Sequence, residues 1–373
     1  MSFAETQLAS VEPARLQVVS PEPADAGRDV LELCREALAD GVDAAGARRI
    51  AVIVSDASRD EPREALLTAL REVLPWERVT LVVASGTHVG DDSVVPDGFR
   101  DRPIVVHDAA ALEHMTDLGV TAEGTRVRLQ KVVAEADLVV VTGRLRPHYF
   151  AGFSGGVKGL FPGCAFAEDA LRNHLLKADP SARLGRVDDN RCRLDMEAAA
   201  AKVPGRVVML NVLCDIDGKA VAAASGDPVR AHRELCRRAL PLFQVRAPRA
   251  PVVVVADRPP VSRSLYQASK LLPPAGALLE DGGTVIVLAE CDRGTGPLSR
   301  VNEGIYQLGV RRQLPERHRV VLVSELPPEV VRHTYARPAP SLSSALRDAG
   351  AESAVVVWRA GECIATPDAC QRA

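Results

Sequence analysis

The sequence predicts an α/β protein of two α/β domains with largely parallel sheets. Three observations carry that reading: apolar runs of strand length recur along the chain, the runs are continuous rather than alternating, and helix-like stretches separate them. Continuous apolar runs suit strands covered on both faces, as the strands of parallel sheets are.

The first set of runs covers residues 49–56, 79–86, 103–108, 136–145 and 207–215, with a helix-like stretch at 61–74. A second set follows Pro248 and Pro251, at 252–257, 284–290, 319–324 and 354–359, with helical patterns around 265–272 and 341–348. The stretch 246–251 therefore reads as the junction between a first domain, 1–247, which binds any cofactor, and a second, 248–373, with the last residues free to pack back on the first. A chain of 373 residues has the length for two such domains, or three at most.

Composition narrows the function. The 46 Lys and Arg against 49 Asp and Glu give a net charge of −3, a balance that supplies no footprint for a nucleic acid or a membrane surface. Aromatic residues at 3% leave little for base-stacking platforms, so a small neutral or anionic ligand is the expected partner. Residues 1–17 hold no basic-then-apolar block and no apolar run approaches a spanning helix, which points to the cytoplasm. The eight cysteines, from Cys34 to Cys370, form no CxxC pair, so reduced and mostly buried thiols are expected rather than disulfides or a zinc knuckle. Only six lysines occur, which singles out Lys158 and Lys270.

Ligands of open α/β sheets sit beyond the carboxyl ends of strands, so the polar residues that follow the apolar runs are the ones to inspect. Four endings are chemically loaded: Ser55-Asp56-Ala57-Ser58-Arg59, Ser85-Gly86-Thr87-His88, His107-Asp108, and the segment that opens at Arg146-Pro147-His148. Each taken alone also fits a turn or a helix cap. The segment 147–163 then packs five glycines, His148 and Lys158 into seventeen residues, a composition that lets backbone N–H groups approach an anion, phosphate above all. The Walker spacing is absent, because Lys158 lies between Val157 and Gly159. Gly152-Phe153-Ser154-Gly155-Gly156 also matches the GxSxG elbow of serine hydrolases, with His174, His232, His318 and His333 downstream as candidate bases. That alternative needs a strand running directly into Ser154, whereas Arg146-Pro147-His148 reads as a loop.

These segments, with Asn173-His174 and Tyr266-Gln267-Ala268-Ser269-Lys270, closely resemble the nickel-pincer-nucleotide racemases of the lactate racemase family. The likeness spans roughly residues 50–275 at motif level, and the glycine-rich segment is its most specific part. It implies a racemase or epimerase of a 2-hydroxy acid, working by reversible hydride transfer through a 2-keto acid, with its active site in a cleft between the domains. It also implies a nickel-pincer nucleotide joined covalently to Lys158, with its phosphate against the glycine-rich backbone at Gly155 and Gly156. By the same likeness His174 supplies the protein's nickel ligand and His107 and His148 form the acid/base pair. Arg59, Tyr266 and Lys270 hold the substrate carboxylate and neighbouring oxygen, while Asp56 and His88 orient Arg59 and the cofactor. Enzymes that synthesise the cofactor are expected partners, and a homo-oligomer is left open.

Other readings of the same residues stay open. Lys158 fits a noncovalent phosphate ligand, His107 beside Asp108 fits a capped strand end, and Tyr266 with Lys270 fits a shared helix face. His114, His232, His318 and His333 match no motif and are expected at the surface; Trp358 fits either a pocket wall or the second core. Two departures bear on the substrate: Ser58 stands where the family commonly shows Thr, and Asp60 where it commonly shows Pro.

Overall fold

The computed structural model describes residues 1–88, 90–296, 310, 314 and 317–368. They form two compact units, one from Pro23–Pro241 and the other from Met1–Glu22 together with Leu242–Ala373. The first strand of the chain, β1 (Leu16–Val19), belongs to the second of these units.

The unit 23–241 is built on a six-stranded sheet. Its strands are β2 (Ile50–Ser55), β3 (Val79–Ala84), β4 (Ile104–Val106), β7 (Leu138–Leu145), β10 (Arg206–Cys214) and β11 (Ala220–Gly226), with the short ribbon β5 (Met115–Val120) and β6 (Arg126–Gln130) outside it. The order is β11-β10-β7-β2-β3-β4, and every pair is parallel except β10 with β11. Both faces are covered, which is why the strands read as continuous apolar runs. Val52, Val54, Leu81 and Val83 pack with Leu66, Leu67 and Leu70 of the helix Arg63–Val73, while Ile53, Val82, Val139 and Val141 pack on the other face with Val157, Leu160 and Phe161. The chain steps from β2 to β3 and β4 on one side and returns to β7 and β10 on the other. The strand order thus reverses between β2 and β7, and a crevice is expected outside their carboxyl ends.

A two-residue hairpin, β8 (Pro147–His148) against β9 (Gly152–Phe153), follows β7 directly. It leads into a tight 3₁₀ turn at Gly156–Gly159 and then the helix Ala167–Leu175.

The second unit carries β12 (Gln244–Ala247), β13 (Ala250–Ala256), β14 (Leu279–Leu288), β15 (Arg319–Val323), β16 (Arg337–Ala339), β17 (Ala354–Trp358) and β18 (Ile364–Pro367). Its main sheet runs β1-β17-β13-β14-β15-β16, all parallel. The expected boundary at 247/248 therefore moves. Residues 1–22 join the second unit because Leu16–Val19 pairs with Ala354–Val357, and Gln244–Ala247 joins it by pairing with Ile364–Pro367. The seven described cysteines are unpaired and buried; Cys370 lies outside the described residues. No described helix is long and apolar enough to cross a membrane.

Candidate active site

A cleft of about 210 Å³ opens where the loops after β2, β3 and β7 meet, and Asp56, Arg59, His88, His148, Lys158 and His174 all line it. Asp56 follows β2 and is shaped by its own turn, with the N–H of Ser58 donating to Oδ1 at 3.0 Å. Its Oδ2 lies 3.1 Å from His88 Nδ1. Burial opposes ionisation of Asp56, yet the hydrogen bonds from His88 and Ser58, helped by the charge of Arg59, hold its carboxyl below the ordinary value. An ionised Asp56 can only accept, so His88 carries a proton on Nδ1, and a neutral ring then leaves Nε2 as the acceptor. His148 is held the other way round, because the N–H of Ala151 donates to its Nδ1 at 3.2 Å and a neutral ring then carries its proton on Nε2. Two imidazoles lining one cleft are thus set in opposite tautomers, one ready to take a proton and one ready to give it.

The glycine-rich segment is fixed from behind by buried polar side chains. The fully buried guanidinium of Arg193 donates to the carbonyl of Gly155, His232 Nε2 donates to the carbonyl of Ser154 at 2.8 Å, and the N–H of Gly156 donates to Asn211 Oδ1 at 2.6 Å. Both glycines have positive φ, 74° and 58°. A Cβ on Gly155 would meet Asn211 Oδ1 at 2.5 Å, and one on Gly156 would meet Arg193 Nη2 at 2.4 Å. These glycines are therefore required by the close approach of the protein's own side chains.

His174 sits in the last turn of the helix Ala167–Leu175, with its ring edge-on to Phe150 at 5.2 Å. Burial first, and then the charges of Lys158 and Lys177, push its pKa down to about 3. The imidazole is neutral, and its buried Nε2 has no hydrogen-bond partner. A neutral ring with an unclaimed nitrogen beside Lys158 fits a single protein ligand to a metal ion. Among the described residues no group of three His, Cys, Asp or Glu gathers to hold a metal, so such an ion would draw its other donors from the group that brings it.

A family model described as the lactate racemase N-terminal domain matches residues 4–185. The lactate racemases of Thermoanaerobacterium thermosaccharolyticum and Lactiplantibacillus plantarum are each 32% identical to the chain, over 277 and 281 residues. The lactate racemase apoprotein from T. thermosaccharolyticum superposes with a TM-score of 0.83 at 27% identity, covering 95% of this chain and 96% of that one. The chain is similar to lactate racemases over most of its length. Its matches to the two racemase sequences take in 71% and 70% of the chain but only 64% of either relative's length. A protein from Thermotoga maritima shares the fold, with a TM-score of 0.67 at 16% identity over 91% of this chain and 97% of that one.

Of the residues that the family resemblance singles out, the cleft gathers Asp56, Arg59, His88, His148, Gly155, Lys158 and His174. His107 is not among them. It follows β4, is 2% exposed, and turns Nε2 to the carbonyl of Ala165 at 3.1 Å, leaving a buried Nδ1 without a partner. Its Nε2 is claimed by the backbone and its ring is not among the residues that line the cleft, whereas His88 is. Gly156 does not line the cleft either, since its N–H is spent on Asn211. Tyr266 and Lys270 belong to the other unit, on the helix Leu265–Ala268 and the turn Ser269–Leu271, with Lys270 Nζ bonded to Gln267 Oε1 and 5.7 Å from the Tyr266 ring.

Ser154 is not a nucleophile elbow. Its Oγ donates to the carbonyl of Arg144 and accepts the N–H of Arg146, and the nearby His232 bonds its backbone rather than its hydroxyl. His232, expected at the surface, is fully buried because it braces this loop, whereas His114 and His333 are exposed. Sequence reasoning missed Arg193 and Asn211; an asparagine inside the apolar run of β10 was the available signal, since buried strand amides need a partner.

Proposed function

We propose that the protein is a racemase or epimerase of a small 2-hydroxy acid. The observation that carries the reading is the pair His88 and His148, held in opposite tautomers in the cleft that also presents Arg59. A racemase must serve both faces of one carbon, and two imidazoles that exchange roles let one group take the hydroxyl proton of each enantiomer. Arg59 takes the substrate carboxylate, and the family likeness supports Tyr266 and Lys270 as further contacts to the carboxylate and the neighbouring oxygen.

The same proposal assigns a nickel-pincer nucleotide to this cleft, tethered at Lys158 and ligated to nickel by His174, whose orphaned Nε2 fits that role. When bound, the group would accept the α-hydrogen as hydride and return it to either face of a planar 2-keto acid. The chain's own part is the rest. Asp56 keeps His88 Nε2 as the base, the N–H of Ala151 keeps His148 in the complementary form, and the buried clamp holds the tethering turn. Cofactor-synthesis enzymes are the implied partners. A cytoplasmic setting fits seven described thiols that are all unpaired.

The test is isomerisation in D₂O by protein produced alongside the cofactor-synthesis enzymes. Racemisation that leaves the α-position protiated is expected; deuterium entering at the rate of racemisation contradicts hydride transfer, and no isomerisation of any 2-hydroxy acid contradicts the function.

A further inference from the structure

The cleft holds more positive charge than one carboxylate needs. Beside Arg59 and Lys158, both Arg144 and Arg146 line it. These two arginines share one partner, since Asp60 Oδ2 accepts from Nη1 of Arg144 and lies 3.1 Å from Nη2 of Arg146. The partners are unequal. The Arg144 side chain is 8% exposed and that of Arg146 30%, whereas Asp60 is 80% exposed. Arg144 is anchored by Nη2 on the carbonyl of Asp215 at 3.1 Å, while its buried Nε has no hydrogen-bond partner. A solvated carboxylate therefore caps an anchored and incompletely satisfied guanidinium. Only the carboxylate of this pair is exposed, so an incoming carboxylate can replace Asp60 without leaving the buried guanidinium unpaired.

We propose that Arg144 and Arg146 form a second oxyanion receptor in the cleft, occupied by Asp60 until substrate arrives, and that the preferred substrates are 2-hydroxydicarboxylates. This rests on the racemase reading, in which Arg59 takes the first carboxylate. Asp60 is the next residue in the chain, so its carboxylate marks where a second one can sit on the substrate side. A nucleotide phosphate has the same oxyanion chemistry, but the present occupant is a single carboxylate bridging two guanidiniums, which is the shape a dicarboxylate reproduces. Asp60 also acts as a filter, because a hydroxy acid with an apolar tail cannot displace it and leaves the ion pair in place.

Calorimetric titration of the full chain with malate, lactate and inorganic phosphate tests the proposal. Malate is expected to bind about tenfold or more tighter than lactate, as an added charge-assisted contact gives. Arg144→Gln should remove that margin and leave lactate binding unchanged, and the better exposed Arg146→Gln should narrow it should the first variant fold poorly. Asp60→Asn should tighten malate several-fold, since it removes the internal competitor. Equal affinities for malate and lactate overturn the proposal, as does an Asp60→Asn variant that weakens malate alongside Arg144→Gln. Phosphate that outbinds malate and is lost in Arg144→Gln assigns the receptor to phosphate and overturns the substrate class. Loss of optical activity, followed in protein made with the cofactor-synthesis enzymes, separates the two readings. Arg144-dependent malate binding without any isomerisation supports the receptor and overturns the racemase, while equal isomerisation of lactate and malate, unaffected by Arg144→Gln, does the reverse.

Discussion

Arg193 places both terminal nitrogens 3.1 Å from the carbonyl oxygen of Gly155, although its guanidinium is wholly buried. Its charge is answered by Glu197, with Nε 3.0 Å from Oε1, and Glu197 is shared with Arg233. A buried ion pair is weak evidence for stability, but its removal from one side is costly. Here it fixes the turn that presents Lys158.

Arg193→Met is therefore expected to destabilise the fold by about 3–5 kcal/mol, and Asn211→Ala, which orphans the Gly156 N–H, by about 1–3 kcal/mol. Urea unfolding measures both. In protein made with the cofactor-synthesis enzymes, Asn211→Ala should also lower the fraction carrying an adduct, seen by intact mass. Full loading in that variant would mean the clamp does not position the tether.

Lys158 itself should carry the adduct. Intact mass should show an increment of nucleotide size that Lys158→Ala lacks, and His174→Ala should lose nickel by elemental analysis while keeping its circular dichroism spectrum. Equal nickel in wild type and His174→Ala would remove His174 as the ligand.

His88 and His148 should each be indispensable in both directions, since each direction uses one as base and the other as acid. Replacing either by Asn is expected to lower kcat by about 10²–10⁴-fold. Asp56→Asn should lower kcat more than it raises KM, because it frees His88 to carry its proton on the wrong nitrogen. His107→Gln is the control for the reassignment: its ring lies outside the cleft, so racemisation should persist where the fold does.

Two buried histidines set an acid limb on stability. Burial, reinforced at His232 by the charge of Arg193, pushes the pKa of His232 far down, and burial lowers that of His107 against a weaker opposing hydrogen bond to Ala165. The folded protein keeps these rings neutral while the unfolded chain takes up protons near pH 6.5, so their contribution is complete above that pH and is lost as pH falls. His232, whose pKa is pushed far down, steepens the loss by up to about 1.4 kcal/mol per pH unit. Urea titrations at pH 7.5 and 5.5 should show His232→Asn with a shallower pH dependence; an unchanged slope would mean that His232 takes up a proton without unfolding.

Much of this was legible in the sequence because parallel strands covered on both faces leave uninterrupted apolar runs, and polar residues just past them mark the crevice. Asp56, His88, His148 and Lys158 were visible for that reason. The direction of a side chain was not. His88 and His107 both lie just beyond a strand, and it is the carbonyl of Ala165 that holds one ring in the interior. The glycines pointed correctly to close approach, but which atoms approach depends on residues from distant helices. The domain boundary was obscured for a related reason: parallel pairing of β1 with β17 leaves no local signature in either segment.

That pairing also gives the molecule a timetable. Leu16 faces Ala354 across the sheet, so β1 is made long before the strand that it pairs with. At synthesis rates of about 5–20 residues per second the wait is on the order of half a minute. The unit from Pro23 to Pro241, which holds the whole cleft, needs nothing from either end of the chain to complete its own sheet. It is free to form during synthesis, while β1 stays unpaired until β17 has been made.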